Sequence, residues 1–237
     1  MNNENIPLNE YPRPQLVRDS YVCLNGEWDY AITKSEKIPE QFQGKIIVPF
    51  SPECNKDINH ILQPDEFLYY KRTFSLEEGF NKGRVLLHFM AVDQIAKVWI
   101  NDRYLGEHIG GFLPFEFDIK PYLSDGENVL VVKVKDETDS GYQSTGKQSL
   151  YMTGIFYPST SGIYLPVWLE SVSDDYVKNL RIIPDIDNSN VQITVFSDSP
   201  TSTVIFNDKE YKVNNNEAFS LPVEDLHLWS PETPYLY

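Results

Sequence analysis

The sequence predicts an all-β protein built as an antiparallel sandwich or jelly roll. Three observations support this fold class. Segments of alternating apolar and polar residues recur roughly every ten to twenty residues, turn-forming residues separate them, and almost no segment has helical periodicity. Aromatic residues make up 14% of the 237 residues, an excess that is typical of β-structure and of surfaces that stack on flat apolar faces.

A hairpin near the middle of the chain organises this prediction. Ala96–Ile100 alternates apolar and polar residues, as expected of a strand with one buried face. Asn101-Asp102 follows, and both residue types tolerate the left-handed backbone of a tight turn. After the return strand, His108 precedes two adjacent glycines, Gly110 and Gly111. We expect a loop here, because glycines let the backbone bend sharply and approach whatever lies opposite.

The other elements follow in chain order. Residues 1–20 are polar and proline-rich, so we expect them to wrap over a surface in extended form. Two long irregular regions, Glu53–Glu66 and Asp136–Pro158, have the length of functional loops. Further strands are predicted near Glu27–Tyr30, Ile46–Val48, Phe67–Phe74, Gly83–Met90, Pro114–Asp118, Val129–Val134 and Val167–Glu170.

A polar hinge at Ser171–Asp175 predicts a domain boundary, with one domain over 1–172 and a second over 173–237. An immunoglobulin-type sandwich usually has about seven strands in about 100 residues, and only about sixty residues remain. We therefore expect a C-terminally truncated sandwich with an exposed strand edge, through which self-association is possible. Its five predicted strands are Val177–Ile183, Val191–Phe196, Thr203–Phe206, Lys209–Val213 and Glu217–Val223.

Composition excludes several classes of partner. The net charge of −15 repels nucleic-acid phosphates and anionic lipid head groups, so neither nucleic acid nor a membrane is expected as a partner. No run of eighteen apolar residues and no signal-like N-terminus are present, which favours a cytoplasmic location. Cys23 and Cys54 have no metal-ligand or redox spacing and are expected to be free, buried thiols.

Motifs of catalysis and of metal binding are missing from the sequence. It has no G-x-S-x-G, no phosphate-binding loop, no H-E-x-x-H and no calcium-loop spacing. The four histidines are scattered, and His88 and His227 are expected to be structural. We therefore predict no cofactor, no metal site and no catalytic residue in this chain.

Several segments resemble one family. The stretch VWIND…LGEHIGGFLPFEFDI is similar to the central signature of the N-terminal sugar-binding domain of glycoside hydrolase family two, the β-galactosidase and β-glucuronidase family. The resemblance extends from about Tyr11 to Tyr237 and implies a galactose-binding-like jelly roll followed by an immunoglobulin-like domain. Its other motifs, in the family's order, are LNG.W at Leu24–Trp28, I.VPF at Ile46–Phe50, GKQ at Gly146–Gln148, SGI at Ser161–Ile163, VWLE at Val167–Glu170 and LWSPE.PYLY at Leu228–Tyr237.

The resemblance also implies an activity for the parent enzyme. Family-two enzymes are retaining β-glycosidases, and a pair of glutamates about 5 Å apart cleaves the glycosidic bond. Both glutamates lie on a barrel that follows the immunoglobulin-like domain, and no residue of that barrel occurs here. We therefore expect a β-galactosidase-like parent that binds its carbohydrate through the missing barrel, and a chain that is inactive alone.

Five residues are candidates for substrate binding: Asp65, Glu66, His108, Gly110 and Gly111. Asp65 and Glu66 correspond to a place where some family β-galactosidases direct a polar side chain at the substrate, although a plain surface loop is the stronger interpretation. The His108 imidazole could bond a sugar hydroxyl or tie down its loop, and we favour the structural role. Some relatives have an acidic cation-binding residue before the SGI motif, whereas 154–160 contains none.

Two other functions remain open at this point. The chain could be a binding module that acts alone, with aromatic side chains stacked on a sugar. It could also be an interaction or adhesion protein made of two β-sandwiches, because this fold supports many functions. Glycan binding by the isolated chain separates these alternatives.

Overall fold

The structure, a computed structural model, describes residues 6–237 and is all-β, which confirms the predicted fold class. Helical structure in this part of the chain is confined to two short 3-10 helices, Pro14–Leu16 and Lys120–Tyr122. The chain divides into two compact units, and each is described by itself. The first contains the residues up to Pro12 and Arg18–Val172, and the second contains Arg13–Val17 and Ser173–Tyr237.

The first unit contains fourteen strands within the described residues. They are β1 (Tyr21–Cys23), β2 (Gly26–Thr33), β3 (Gly44–Val48), β4 (Phe67–Ser75), β5 (Arg84–Phe89), β6 (Val92–Asp93), β7 (Ile95–Ile100), β8 (Arg103–Ile109), β9 (Phe115–Asp118), β10 (Glu127–Lys135), β11 (Gln148–Ser149), β12 (Tyr157–Pro158), β13 (Gly162–Ile163) and β14 (Val167–Val172).

Two antiparallel sheets form the sandwich of the first unit. The larger sheet has the order β3-β2-β4-β10-β7-β8, and the smaller has the order β1-β14-β5-β9. Their inner faces enclose one hydrophobic core, which includes Trp28, Phe89 and Leu169. Two small ladders, β6 with β13 and β11 with β12, lie outside these sheets and order the long loop after β10.

The central hairpin forms as the sequence predicts. Ala96, Val98 and Ile100 of β7 are fully buried in the core. At the turn, Asn101 and Asp102 have φ values of 48° and 63°, the left-handed conformation that a two-residue hairpin loop requires. The Asn101 side chain also accepts a hydrogen bond from the backbone N–H of Val129 at 2.9 Å, which fixes the turn to the neighbouring strand β10.

A buried glutamate on β14 anchors the N-terminal segment to the sandwich. Glu170 accepts hydrogen bonds from the Tyr11 hydroxyl, from Nε of Arg18 at 3.0 Å and from Nε1 of Trp168 at 3.0 Å. Nε2 of His88 lies 3.2 Å from the same carboxylate, and its ring stacks on Trp168. This network holds Tyr11 and Arg18 against the sandwich, and it gives His88 a structural role, as the sequence predicts.

The second unit has five strands within the described residues, as many as the sequence predicts. They are β15 (Val177–Asp185), β16 (Asn190–Ser197), β17 (Thr201–Phe206), β18 (Lys209–Asn214) and β19 (Ala218–Pro222). They form a sheet β15-β16-β19 and a hairpin β17-β18, with a small core that includes Val195 and Leu221. The assignment of this unit to the immunoglobulin type stays a prediction.

Two further expectations concern the surface. Both cysteines are free, but Cys54 is exposed and Cys23 is half-buried, so the expected burial of the thiols was wrong. Cys54 lies in the irregular loop after β3, where the chain makes successive turns at the surface. Across residues 6–237, none of the helices has the length and apolar character needed to span a membrane.

Candidate functional site

Strands β6 and β13 join the SGI segment to the segment that precedes β7. Their antiparallel pairing sets Gly162 opposite Asp93 and Ile163 opposite Val92. A Cβ at Gly162 would overlap the hydroxyl of Tyr70, so only glycine allows the SGI segment to approach the sheet this closely. The Asp93–Gln94 peptide bond at this position is cis.

Asp93 is the central polar residue of the site. Its carboxylate is buried and accepts a hydrogen bond from Nε2 of Gln148 at 2.9 Å. Oε1 of Gln148 in turn accepts the backbone N–H of Thr160 at 2.6 Å. Gln148 belongs to the GKQ segment, and Thr160 immediately precedes the SGI segment. One glutamine side chain therefore connects both motifs to the end of the sandwich.

Asp136 is a second buried acid, located where β10 ends. It accepts hydrogen bonds from the backbone N–H of Thr138 at 2.7 Å and from the hydroxyl of Ser161 at 2.7 Å. The bond to Thr138 is an Asx turn, in which an aspartate accepts from the N–H two residues later and redirects the chain. Burial raises the pKa of Asp136 above its usual value.

Glu53 completes a cluster of three acids, which we call the acid cluster: Glu53, Asp93 and Asp136. Glu53 accepts backbone hydrogen bonds from Ser161 at 3.2 Å and from Leu62 at 3.3 Å, and burial raises its pKa. Burial also raises the pKa of Asp93 to about 6, and the charges of Asp136 and Glu53 add to this effect. The cluster therefore opposes full ionisation at neutral pH.

One of the two candidate glycines, Gly111, lies directly against this cluster. Gly110 has a φ of 114°, and its N–H donates to the carbonyl of Gln94 at 2.9 Å. A Cβ on Gly111 would lie 2.5 Å from Oδ1 of Asp93, and the carbonyl of Gly111 accepts the hydroxyl of Tyr164 at 2.5 Å. The expected sharp bend and close approach at the two glycines are therefore present, and the group opposite is a carboxylate.

His108 lies on strand β8, opposite Ala96 of β7, and not in the loop that the sequence predicts. The reason is that β8 pairs with β7 as far as Ile109, so the bend begins only at Gly110. The His108 ring stacks on Phe115 at a centroid distance of 4.3 Å. Its Nε2 atom is buried and has no hydrogen-bond partner within the described part of the chain.

Asp65 and Glu66 lie in the loop before β4. Asp65 is exposed and forms an ion pair with Lys34 at 2.7 Å. Oε2 of Glu66 lies 2.7 Å from Nε2 of His60 and accepts the backbone N–H of Gln63 at 3.0 Å. Among residues 6–237, neither carboxylate bonds to His108, Gly110 or Gly111. The role of all five candidates in substrate binding stays a prediction.

Buried polar atoms without partners and exposed aromatic rings occur in the sequence segments next to members of the acid cluster. Within residues 6–237, the buried atoms Oε1 of Gln94 and Oγ of Ser159 have no partner, as is the case for Nε2 of His108. Native proteins leave few such atoms unpaired, and each one marks a position for a further polar group. The loop 137–161 exposes a set of aromatic side chains: Tyr142 (96%), Tyr151 (82%), Phe156 and Tyr157.

The acid cluster could not be predicted from the sequence because its members are far apart in the chain: Glu53 and Asp93 are 40 positions apart, and Asp93 and Asp136 are 43 positions apart. Local patterns cannot report such pairings. One signal was present, because Asp93 and Gln94 interrupt the apolar residues Val92 and Ile95. Within the part of the chain that the structure describes, no group of three or more His, Cys, Asp or Glu side chains could hold a metal ion.

Comparisons with known proteins agree with this architecture. The beta-galactosidase of Thermoanaerobacter pseudethanolicus is 28% identical over 78% of this chain. A putative beta-glucuronidase of Formosa agariphila is 25% identical over 99% of it. The chain spans 28% of the length of each of these curated relatives.

Solved structures share the fold. A beta-glucuronidase from an uncultured Clostridium sp. matches 94% of this chain with a TM-score of 0.69 and 20% identity, and the match covers 42% of that protein. A β-glucuronidase from Ruminococcus gnavus, in complex with an N1-substituted uronic isofagomine, matches 94% of the chain with a TM-score of 0.72 and 18% identity, and 43% of that protein is covered.

The family model described as "Glycosyl hydrolases family 2, sugar binding domain" matches residues 46–166, which is just over half of the 237 residues. The matched segment contains the whole acid cluster, the glycine pair and the aromatic loop. The resemblance read from the motifs is thereby confirmed, and this chain belongs to glycosyl hydrolase family two through its sugar-binding domain.

Proposed function

We propose that this chain is a non-catalytic carbohydrate-binding region of a family-two glycoside hydrolase, in which it forms the rim of a saccharide pocket. The parent enzyme is then a retaining β-glycosidase of the β-galactosidase type. Family membership and the names of the relatives, beta-galactosidase and beta-glucuronidase, support this proposal. The partner is a carbohydrate, and the bulk of its contacts come from a catalytic barrel outside this sequence.

One observation supports a rim most directly. The glycine pair Gly110-Gly111 is fixed over a buried Asp93–Gln148 pair, so the backbone at the edge of the sandwich is preorganised. Nε2 of the neighbouring His108 is a buried polar atom without a partner in the described part of the chain. The exposed tyrosines of the following loop are suited to stack on a sugar ring. This arrangement resembles the margin of a saccharide site.

A stand-alone carbohydrate-binding module is the second candidate. Tyr142 and Tyr151 favour it, because their rings are 96% and 82% exposed and a ring plane could meet a sugar without any further domain. A lone module must enclose its ligand well enough to bind tightly, whereas a rim leaves most of the ligand in water and binds weakly. Affinity therefore distinguishes the two.

We also propose a reducing, cytoplasmic environment and a capacity for self-association. The free thiols of Cys23 and Cys54 support the first proposal. The second rests on β15, which forms one edge of its sheet and exposes Ile182 and Ile183. At an exposed edge around Ile182 and Ile183, backbone N–H and C=O groups can pair with a strand of another chain.

NMR titration of the labelled chain with methyl β-galactoside tests the rim. We expect the amide signals of Gly110 and Gly111 to shift with weak, saturable affinity, and Tyr151→Ala to reduce that affinity. Tyr104→Ala is the matched control, because Tyr104 is an exposed tyrosine at the far end of the central hairpin. Shifts confined to other surfaces, or an equal effect of both substitutions, would contradict the proposal.

A further inference from the structure

The outer face of the larger sheet contains a cleft of about 190 Å³ that is separate from the acid cluster. Three lysines line it: Lys97 of β7 and Lys133 and Lys135 of β10. In the antiparallel register, Lys133 lies directly opposite Lys97. Like charges directly opposite one another on a sheet face destabilise it, and this chain has a net charge of −15. A cluster of cations here therefore requires a physical explanation.

The middle lysine is buried and held in position. The side chain of Lys133 is only 7% exposed, and its ammonium lies 4.2 Å from the centroid of the Phe67 ring. Burial of a cation is costly unless a negative group accompanies it. The carboxylate that meets Lys133 belongs to Glu36, at 3.0 Å, in the loop between β2 and β3.

Glu36 behaves as a replaceable partner. Its side chain is 74% exposed, so only its carboxylate is engaged while the rest lies in water. The hydrogen bond from Lys133 lowers the pKa of Glu36, and the charges of Lys97 and Lys135 contribute in the same direction. The Glu36 carboxylate thus lies in the field of all three lysines, of which Lys135 is itself paired with Glu137 at 2.5 Å. The other lining acid, Glu107, pairs with Lys97 at 3.2 Å.

We infer that this lysine cleft binds the carboxylate or sulfate group of an acidic sugar, which replaces the Glu36 carboxylate beside Lys133. The oxyanion part follows from the geometry, because the cleft already accommodates the carboxylate of the exposed Glu36 beside the buried ammonium of Lys133. The sugar part rests on the proposed function. A volume of 190 Å³ is below the range of about 300–1,000 Å³ that is usual for ligand pockets, so the cleft admits one small residue only.

The test is an NMR titration that follows the side-chain Cε–Hε signals of the three lysines. The probes are glucuronate, inorganic sulfate and glucose. We expect saturable shifts at Lys97 and Lys133 with glucuronate and with sulfate, and none with glucose. Raising the salt concentration from about 0.01 M to about 0.15 M should weaken glucuronate binding severalfold, because screening reduces charge attraction.

Variants assign the binding to the cleft. Glu36→Gln removes the internal competitor and should strengthen glucuronate binding severalfold, whereas Lys97→Gln should weaken it about tenfold. Lys45→Gln is the matched control, because Lys45 lies on β3 of the same sheet, pairs with Asp29 at 2.8 Å and should leave binding unchanged. Thermal melts establish that each variant is folded, and because Lys97 and Glu36 are partly or largely exposed, both variants should fold.

Three results would overturn the inference. The first is the absence of saturable lysine shifts with both glucuronate and sulfate, and the second is an equal response to Lys45→Gln and Lys97→Gln. The third is saturation by sulfate but not by glucuronate, which would leave a site for an inorganic oxyanion only. Shifts at Gly110 and Gly111 with a neutral galactoside report on the proposed rim instead, so the two proposals fail separately.

Discussion

Asp93→Asn should make the first unit more stable at neutral pH, and by an amount that depends on pH. The substitution retains an oxygen that can accept the hydrogen bond from Gln148, but it removes the charge from the acid cluster. Burial raises the pKa of Asp93 from 3.8 to about 6. The folded protein therefore holds a proton on Asp93 in a range where the unfolded chain has released it.

The magnitude follows from linkage. A raised pKa contributes stability that is fully present below the unfolded pKa of 3.8 and is lost as the pH rises through about 6. The shift of roughly two units corresponds to about 3 kcal/mol at about 1.4 kcal/mol per unit. Between pH 4, where part of this contribution is already lost, and pH 8, the wild type should therefore lose about 2 kcal/mol of unfolding free energy that Asp93→Asn retains.

Denaturant unfolding at several pH values measures this difference. Tryptophan fluorescence reports on the first unit alone in a Trp229→Phe background, because the other three tryptophans, Trp28, Trp99 and Trp168, belong to that unit. Asp65→Asn is the control. Lys34 lowers the pKa of the exposed Asp65. Asp65→Asn should therefore change the pH dependence of the unfolding free energy only slightly, and with the opposite sign to Asp93→Asn. If the Asp93→Asn effect changed by less than about 0.5 kcal/mol between pH 4 and pH 8, the reasoning about the acid cluster would be refuted.

Three further predictions concern packing and association. Gly111→Ala should lower the stability of the first unit by about 1–3 kcal/mol in denaturant unfolding, because its Cβ would meet the fixed carboxylate of Asp93. Gly141→Ala should lower it less, because the closest contact of its Cβ would be Oε2 of the partly exposed Glu137, with the Glu137 Cβ at 3.3 Å, and equal losses would contradict this account. Glu170→Gln should lower the free energy of unfolding of the first unit by about 3 kcal/mol, because Arg18 loses its buried counter-charge. A decrease below about 1 kcal/mol would show that the network contributes little to stability. Light scattering should show concentration-dependent self-association that Ile183→Lys reduces, and a strict monomer at every concentration would exclude the edge-pairing proposal.

Local chemistry predicted much of the fold. The alternation in Ala96–Ile100 determined which face of β7 is buried, and Asn101-Asp102 determined the turn, because each depends only on neighbouring residues. The five strands of the second unit were predicted for the same reason, with ends that differ by only a few residues. Patterns with a period of two are strong wherever one face is buried and the other is wet.

Much less of the candidate site could be predicted. The glycine pair was predicted because adjacent glycines are an unusual local signal. The carboxylate beneath it could not be predicted, since Asp93 reaches Gly111 only through the pairing of β7 with β8. His108 was predicted to lie in a loop because the glycines were taken to end the strand before His108, whereas the strand continues to Ile109. The lysine cleft was also missed, since the opposition of Lys97 and Lys133 depends on sheet register.

The most direct test of the central claim measures turnover and binding on the same purified sample. We predict no hydrolysis of aryl β-galactosides or aryl β-glucuronides, and calorimetric binding of free sugar with a Kd weaker than about 1 mM, because the chain supplies a rim without an enclosed site. Turnover that survives purification and disappears in Glu66→Gln would contradict the non-catalytic assignment. Tight binding that His108→Ala abolishes would instead identify a module that binds carbohydrate on its own.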